Sequence, residues 1–128
     1  MGNFEKKYVI QSDEKSVFDA LTNATIVGQW SGSPAQMSDN EGENFSLWGG
    51  SIIGINEKVS SGKLSQLWKE KKWEVYSKVE FEWESTEDGV EVVLRQTGIP
   101  DEAFESIKQG WDEHYMFPLK SLLESNNL

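Results

Sequence analysis

The stretch GIPDEAFESIKQGWDEHYMFPLKSLL, from Gly98 to Leu123, contains a strand end, a stop and a long helix. Pro100 fixes its own φ and drives the residue before it toward extended geometry, so Ile99 closes a strand. Asp101 offers a side-chain acceptor to the free amides of a helix first turn, and Glu102 and Glu105 suit the positive end of its dipole. Phe104, Ile107, Trp111, Tyr115, Leu119 and Leu122 then recur every three or four residues, which is one face of an amphipathic helix. About 22 such residues at 1.5 Å each would cross a whole small domain. Gly110 and Pro118 are weak points in this helix. The first lacks a side chain, and the second cannot donate to the His114 carbonyl and should kink or loosen the backbone there. Trp111, between them, is expected over the middle of whatever the helix lies on.

The rest of the chain supplies a sheet. Ser77 to Glu84 alternates strictly, with Val79, Phe81 and Trp83 on one face and Glu80, Glu82 and Glu84 on the other. That is a half-buried antiparallel strand. Glu87-Asp88-Gly89 makes a hairpin, and Val90, Val92 and Leu94 return on the inward face beside Phe81. Upstream, Phe45 to Trp48, Ser51 to Val59 and Lys63 to Glu70 read as strands separated by turn residues, with Lys71 to Glu74 as a solvated loop. Phe4 to Gln11 is a first strand. A helix capped by Ser12 or Asp13 runs to Thr22, Asn23 interrupts it, and a second short helix spans Ala24 to Trp30. The order is β-α-α-β(5-6)-α, an α+β domain over residues 1–128 in which a curved antiparallel sheet wraps the last helix.

Composition narrows the function. The 128 residues suit one domain, large enough to bury roughly two thirds of its surface without a staple. There is no Cys, which excludes disulfides and thiolate chemistry. The N-terminal residues show no apolar run for export or anchoring, and Lys6 stands where a myristoylation signal wants Ser or Thr. A cytoplasmic location without membrane insertion is expected. A formal charge of −10 disfavours nucleic acid and anionic lipid surfaces.

Catalytic signals are missing. His114 is the only histidine, and no recognisable nucleophile or orienting carboxylate accompanies it. Asp112, Glu113 and His114 are consecutive helix positions that do not converge on a metal. Gly49-Gly50 and Gly54 lack the Lys and following helix of a phosphate loop. No enzyme activity, cofactor or metal is therefore expected. The aromatic residues are the informative class, with six Trp and six Phe. Two readings of the inward-facing set stand side by side: a filled core, or the wall of a cavity between sheet and helix that takes an apolar or aromatic small molecule. The candidate lining is Trp48, Trp68, Phe81, Trp83, Leu94, Gln96, Phe104, Ile107, Trp111 and Tyr115, with Gln96 and the Tyr115 hydroxyl as its polar contacts.

An ordered set of residues also carries a family resemblance. Val17-Phe18-Asp19-Ala20-Leu21-Thr22-Asn23 runs on to Trp30, and Gly49-Gly50 precedes a long strand. Leu64 to Trp68 is followed by Trp73, Ser77-Lys78-Val79 opens the next strand, and Thr97-Gly98-Ile99-Pro100 closes the sheet. Gln109-Gly110-Trp111 with Tyr115 and Leu119-Lys120 is the most distinctive piece. Together they resemble the C-terminal domain of the activator of heat-shock protein 90 ATPase, a branch of the START-like helix-grip (SRPBCC) superfamily. The resemblance implies a helix-grip fold and a chaperone-associated, stress-related co-chaperone role with a heat-shock protein 90 family partner. The eukaryotic co-chaperone has in addition a separate N-terminal domain that contributes to engaging the chaperone. The wider superfamily implies a second role, carriage or sensing of lipids, sterols or aromatic compounds.

Overall fold

The computed structural model describes residues 1–125. All of its strands join one six-stranded antiparallel sheet in the order β1-β6-β5-β4-β3-β2. β1 (Gly2–Ile10) leads into α1 (Glu14–Thr22) and α2 (Ala24–Ser31), which carry the chain to the far edge, where β2 (Asn44–Leu47) begins. β3 (Ile52–Ser60), β4 (Lys63–Glu70), β5 (Ser77–Thr86) and β6 (Gly89–Ile99) then step back across the sheet until β6 pairs with β1. The last three residues of the domain expected over 1–128 lie outside the described residues.

Local chemistry explains the helix boundaries. Asp13 accepts from the Ser16 amide at 2.8 Å and caps α1. Asn23 ends α1 and caps α2, accepting from the Ile26 amide at 3.1 Å. The Trp30 indole N–H donates to the Ala20 carbonyl at 2.8 Å and staples the two helices together. In β5, Val79, Phe81 and Trp83 are buried, and their opposite face carries Glu80 and Glu82, paired with Lys63 and Arg95. Phe81 and Leu94 face one another across β5 and β6 in the middle of the core. Each such side chain is worth about 1.5–3 kcal/mol on burial.

The C-terminal segment departs from the continuous α-helix expected of it. A 3₁₀ turn at Asp101–Ala103 precedes α3 (Phe104–Gly110). A π-helical segment follows at Trp111–Met116, and α4 (Phe117–Ser125) completes the segment. Asp101 makes no capping bond, because the 3₁₀ turn places it one turn before α3; its carboxylate lies 2.8 Å from the Met1 amino nitrogen. The π segment falls between Gly110 and Pro118, the two positions least able to hold α geometry. Its i→i+5 winding inserts one residue relative to α register. Beyond it, Leu119 and Leu123 are buried and Leu122 is half-buried against the same core, so all three close the end of the segment.

The loop after β4 needs a second correction. Lys71, Lys72 and Glu74 are exposed as a solvated tip should be, but Trp73 is buried, its ring 6.0 Å from that of Trp68. A large indole beside the sheet gains more from burial than the loop backbone loses.

Candidate functional site: an aromatic cavity under the C-terminal helix

Gly49, with φ of +67°, and Gly50, with φ of +98°, let the chain reverse between β2 and β3. The residue just before them, Trp48, is itself held at φ of +50°, a left-handed backbone that bulky residues seldom adopt. That turn holds the Trp48 ring against Trp30 and Tyr115, at 6.5 and 6.4 Å between centroids. Beneath it, Gly54 allows a close approach, because a Cβ there would collide with the Leu67 carbonyl oxygen and the Phe45 ring. Gly54 also pairs with Trp68 across β3 and β4, which leaves the Trp68 indole on the sheet's inner face.

The π segment closes this space from above. Trp111 lies 5.4 Å from Trp68 and 4.6 Å from Tyr115, between ring centroids. The result is a cavity of about 340 Å³ walled by Trp48, Trp68, Trp111 and Tyr115. Ile52 of β3 and Ile107 of α3 add aliphatic wall, Gly110 leaves room in the roof, and Ser51, Ser106 and His114 contribute polar atoms. His114 is 69% exposed, so it stands at the mouth. Trp68 and Tyr115 are buried, with the Trp68 indole nitrogen lacking any hydrogen-bond partner among the described residues. Burial pushes the Tyr115 hydroxyl well above the ordinary phenol value, so it stays a neutral donor.

Of the candidate lining, Trp48, Trp68, Ile107, Trp111 and Tyr115 meet at this cavity, and the rest do not. Phe81 packs against Trp111 and Tyr115 from the sheet side, and Leu94 lies beside it as core. Trp83 packs on Phe18 of α1, at 6.2 Å, because strand alternation sets the face of a residue but not its distance along the strand. Phe104 turns to the other flank, edge-on to Phe4 of β1 at 6.4 Å. Gln96 faces inward but is fully engaged: it accepts from Trp111 Nε1 at 2.6 Å and donates to Ser77 Oγ at 2.9 Å. Ser51, Ile52, Ser106, Gly110 and His114 are the lining residues absent from the candidate set. Ser106 and His114 share the helical spacing of Ile107, Gly110 and Trp111, a signal that the search for large rings passed over.

On the opposite flank of the helix, Asp112 accepts from Lys6 Nζ at 2.8 Å and from the Tyr8 hydroxyl at 2.6 Å. Partial burial pushes the Asp112 carboxyl up, but the Lys6 and Tyr8 hydrogen bonds and the Lys6 charge outweigh it and hold the group below its ordinary value. This ties β1 to the helix from outside the cavity. Among the described residues, no group of three or more His, Asp or Glu side chains is placed to hold a metal ion, and no helix is long and apolar enough to cross a membrane.

A curved antiparallel sheet closed over a long C-terminal helix, with an apolar cavity between them, defines a helix-grip domain of the START-like type. Residues 12–124 match the family described as Activator of Hsp90 ATPase homolog 1-like protein, and the chain belongs to that family. It is 31% identical over 118 residues to an activator of 90 kDa heat shock protein ATPase homolog from Dictyostelium discoideum, covering 89% of this chain and 31% of that protein. The chain spans about a third of the length of the curated relatives it matches. Among solved structures, an HSP90 activator from Plasmodium falciparum superposes with a TM-score of 0.88 at 27% identity, covering 94% of this chain and 95% of that one. A protein from Mesorhizobium loti shares the fold with a TM-score of 0.86 at 21% identity, over 99% of this chain and 100% of that one.

Proposed function

We propose that this protein is a non-catalytic interaction module that engages a chaperone of the heat-shock protein 90 class and alters its ATPase rate, as a stress-related cofactor in the cytoplasm. The observation that carries this reading is the Plasmodium relative, a chain of nearly the same extent and fold that is itself described as an HSP90 activator. Titrating the purified protein into its host's heat-shock protein 90 homologue, by calorimetry and by ATPase assay, tests the proposal. Binding heat and a changed turnover rate are expected. Neither effect at tens of micromolar would overturn it.

A second reading rests on the cavity itself: carriage or sensing of an apolar or aromatic small molecule between the sheet and the C-terminal helix. Its support is the aromatic wall of the cavity, built by Trp48, Trp68, Trp111 and Tyr115. Thermal-shift screening with fatty acids, sterols and aromatic metabolites tests it. A ligand at about a hundred times its dissociation constant adds roughly 2.7 kcal/mol to stability. Unchanged melting across all three classes would remove this reading and leave the chaperone one untouched.

A further inference from the structure

The four rings around the cavity do not share one plane. Trp48 meets Tyr115 at 70°, Trp111 meets Tyr115 at 50°, and Trp68 meets Trp111 at 30°. A slot for a flat molecule needs two parallel walls, whereas walls tilted in several directions enclose a rounded space. The rings come from a turn, a strand and the π segment, so they reach that space from separate elements. Each aromatic face carries the negative side of a quadrupole.

Charge around the cavity points the same way. No Lys or Arg stands among the described lining residues, whose polar members are Ser51, Ser106 and His114. His114 is 69% exposed at the mouth, and the Glu113 carboxylate lies 3.8 Å from its Nε2. The chain as a whole carries a formal charge of −10, a field that draws cations and repels anions. No Asp or Glu lines the wall, so a cation inside would be held by ring faces and not by an ion pair. A primary ammonium would bring three N–H donors into a space with few acceptors. A quaternary ammonium brings none. The cavity's volume of about 340 Å³ is at the small end of ligand pockets, which suits a compact head group better than a long chain.

Going beyond the apolar ligand of the second reading, we infer that Trp48, Trp68, Trp111 and Tyr115 form an aromatic box for a compact quaternary ammonium compound. Choline is the probe. Its neutral isostere 3,3-dimethylbutan-1-ol has the same shape without the charge, and ethanolamine has the charge without the methyl groups. Calorimetric titration should show choline binding about three- to thirtyfold tighter than the alcohol, the range that a cation over aromatic faces supplies. Ethanolamine should also bind more weakly than choline. Trp48→Leu keeps apolar bulk on the turn and removes one ring face, so it should weaken choline about threefold or more and leave the alcohol nearly unchanged. In the parent protein, the N-methyl proton resonance of choline should move upfield, because ring currents shield groups lying over aromatic faces. That measurement stands if Trp48→Leu does not fold. Choline binding no tighter than the alcohol or ethanolamine, an unmoved N-methyl resonance, or full choline affinity in a folded Trp48→Leu overturns the inference. Binding of the alcohol alone overturns it while supporting the apolar reading. If no probe binds, the inference falls, and the thermal-shift screen above decides the apolar reading independently.

Discussion

The Trp111 indole N–H donates to the Gln96 side-chain oxygen over 2.6 Å, with both residues buried. The Gln96 amide nitrogen donates onward to Ser77 Oγ at 2.9 Å, and the Ser77 hydroxyl donates to the Trp68 carbonyl at 2.5 Å. A polar thread thus runs from the π segment through β6 and β5 to β4, inside an otherwise aromatic core. Hydrogen bonds in such a low-dielectric interior are stronger than in water, and breaking one strands its partner.

Trp111→Phe should keep most of the ring packing while leaving the Gln96 oxygen unpaired, at a cost of about 1–3 kcal/mol. Trp111→Ala also removes the ring and should cost roughly 3–5 kcal/mol. Urea unfolding measures both. A Phe variant as stable as the parent would mean that the thread adds nothing to stability.

The left-handed backbone at Trp48 stores strain of order 1–3 kcal/mol, beside the cavity it helps to wall. Trp48→Gly relieves that strain and deletes a half-buried ring. Its net destabilisation should stay below about 2 kcal/mol, under the usual cost of truncating a core Trp. Thermal melts decide this, and a loss equal to that of Trp111→Ala would contradict it.

Gly54→Ala places a methyl group against the Leu67 carbonyl oxygen and the Phe45 ring, neither of which can withdraw without disturbing the β3–β4 ladder. Overpacking of this kind costs about 1–3 kcal/mol. Denaturant midpoints should fall accordingly. An unchanged midpoint would show that the strand bends freely at this point.

Asp112 makes stability depend on acidity. A carboxyl held below its ordinary value in the fold contributes stability that is complete above that value, 3.8, and is lost as pH falls through the lower folded value. Unfolding measured from pH 7 down to pH 2 should therefore show a decline below about pH 4. Asp112→Asn should remove its share, about 1–2 kcal/mol at neutral pH. Parallel stability–pH curves for parent and variant would exclude the effect.

Periodicity alone determined most of this architecture. Alternation in Ser77 to Glu84 specified a half-buried strand, because a pleat sends neighbouring side chains to opposite faces. Asp13 and Asn23 marked helix starts, because their short side chains reach free amides. The inward faces of Phe81, Leu94, Gln96 and Trp111 were legible for the same reason. Their division between core, hydrogen-bonded thread and cavity was not. That division depends on the close approach at Gly54, on the left-handed turn at Trp48 and on how the last helix is wound. Gly110 and Pro118 announced a weakness in that helix. Only packing against the sheet converted it into a π turn and set Trp111 and Tyr115 above Trp68. A one-dimensional pattern carries the direction of each side chain along its own element. The meeting of Trp48, Trp68, Trp111 and Tyr115 around one cavity belongs to the tertiary structure, because they come from a turn, a strand and a helix whose relative positions only the closed sheet defines.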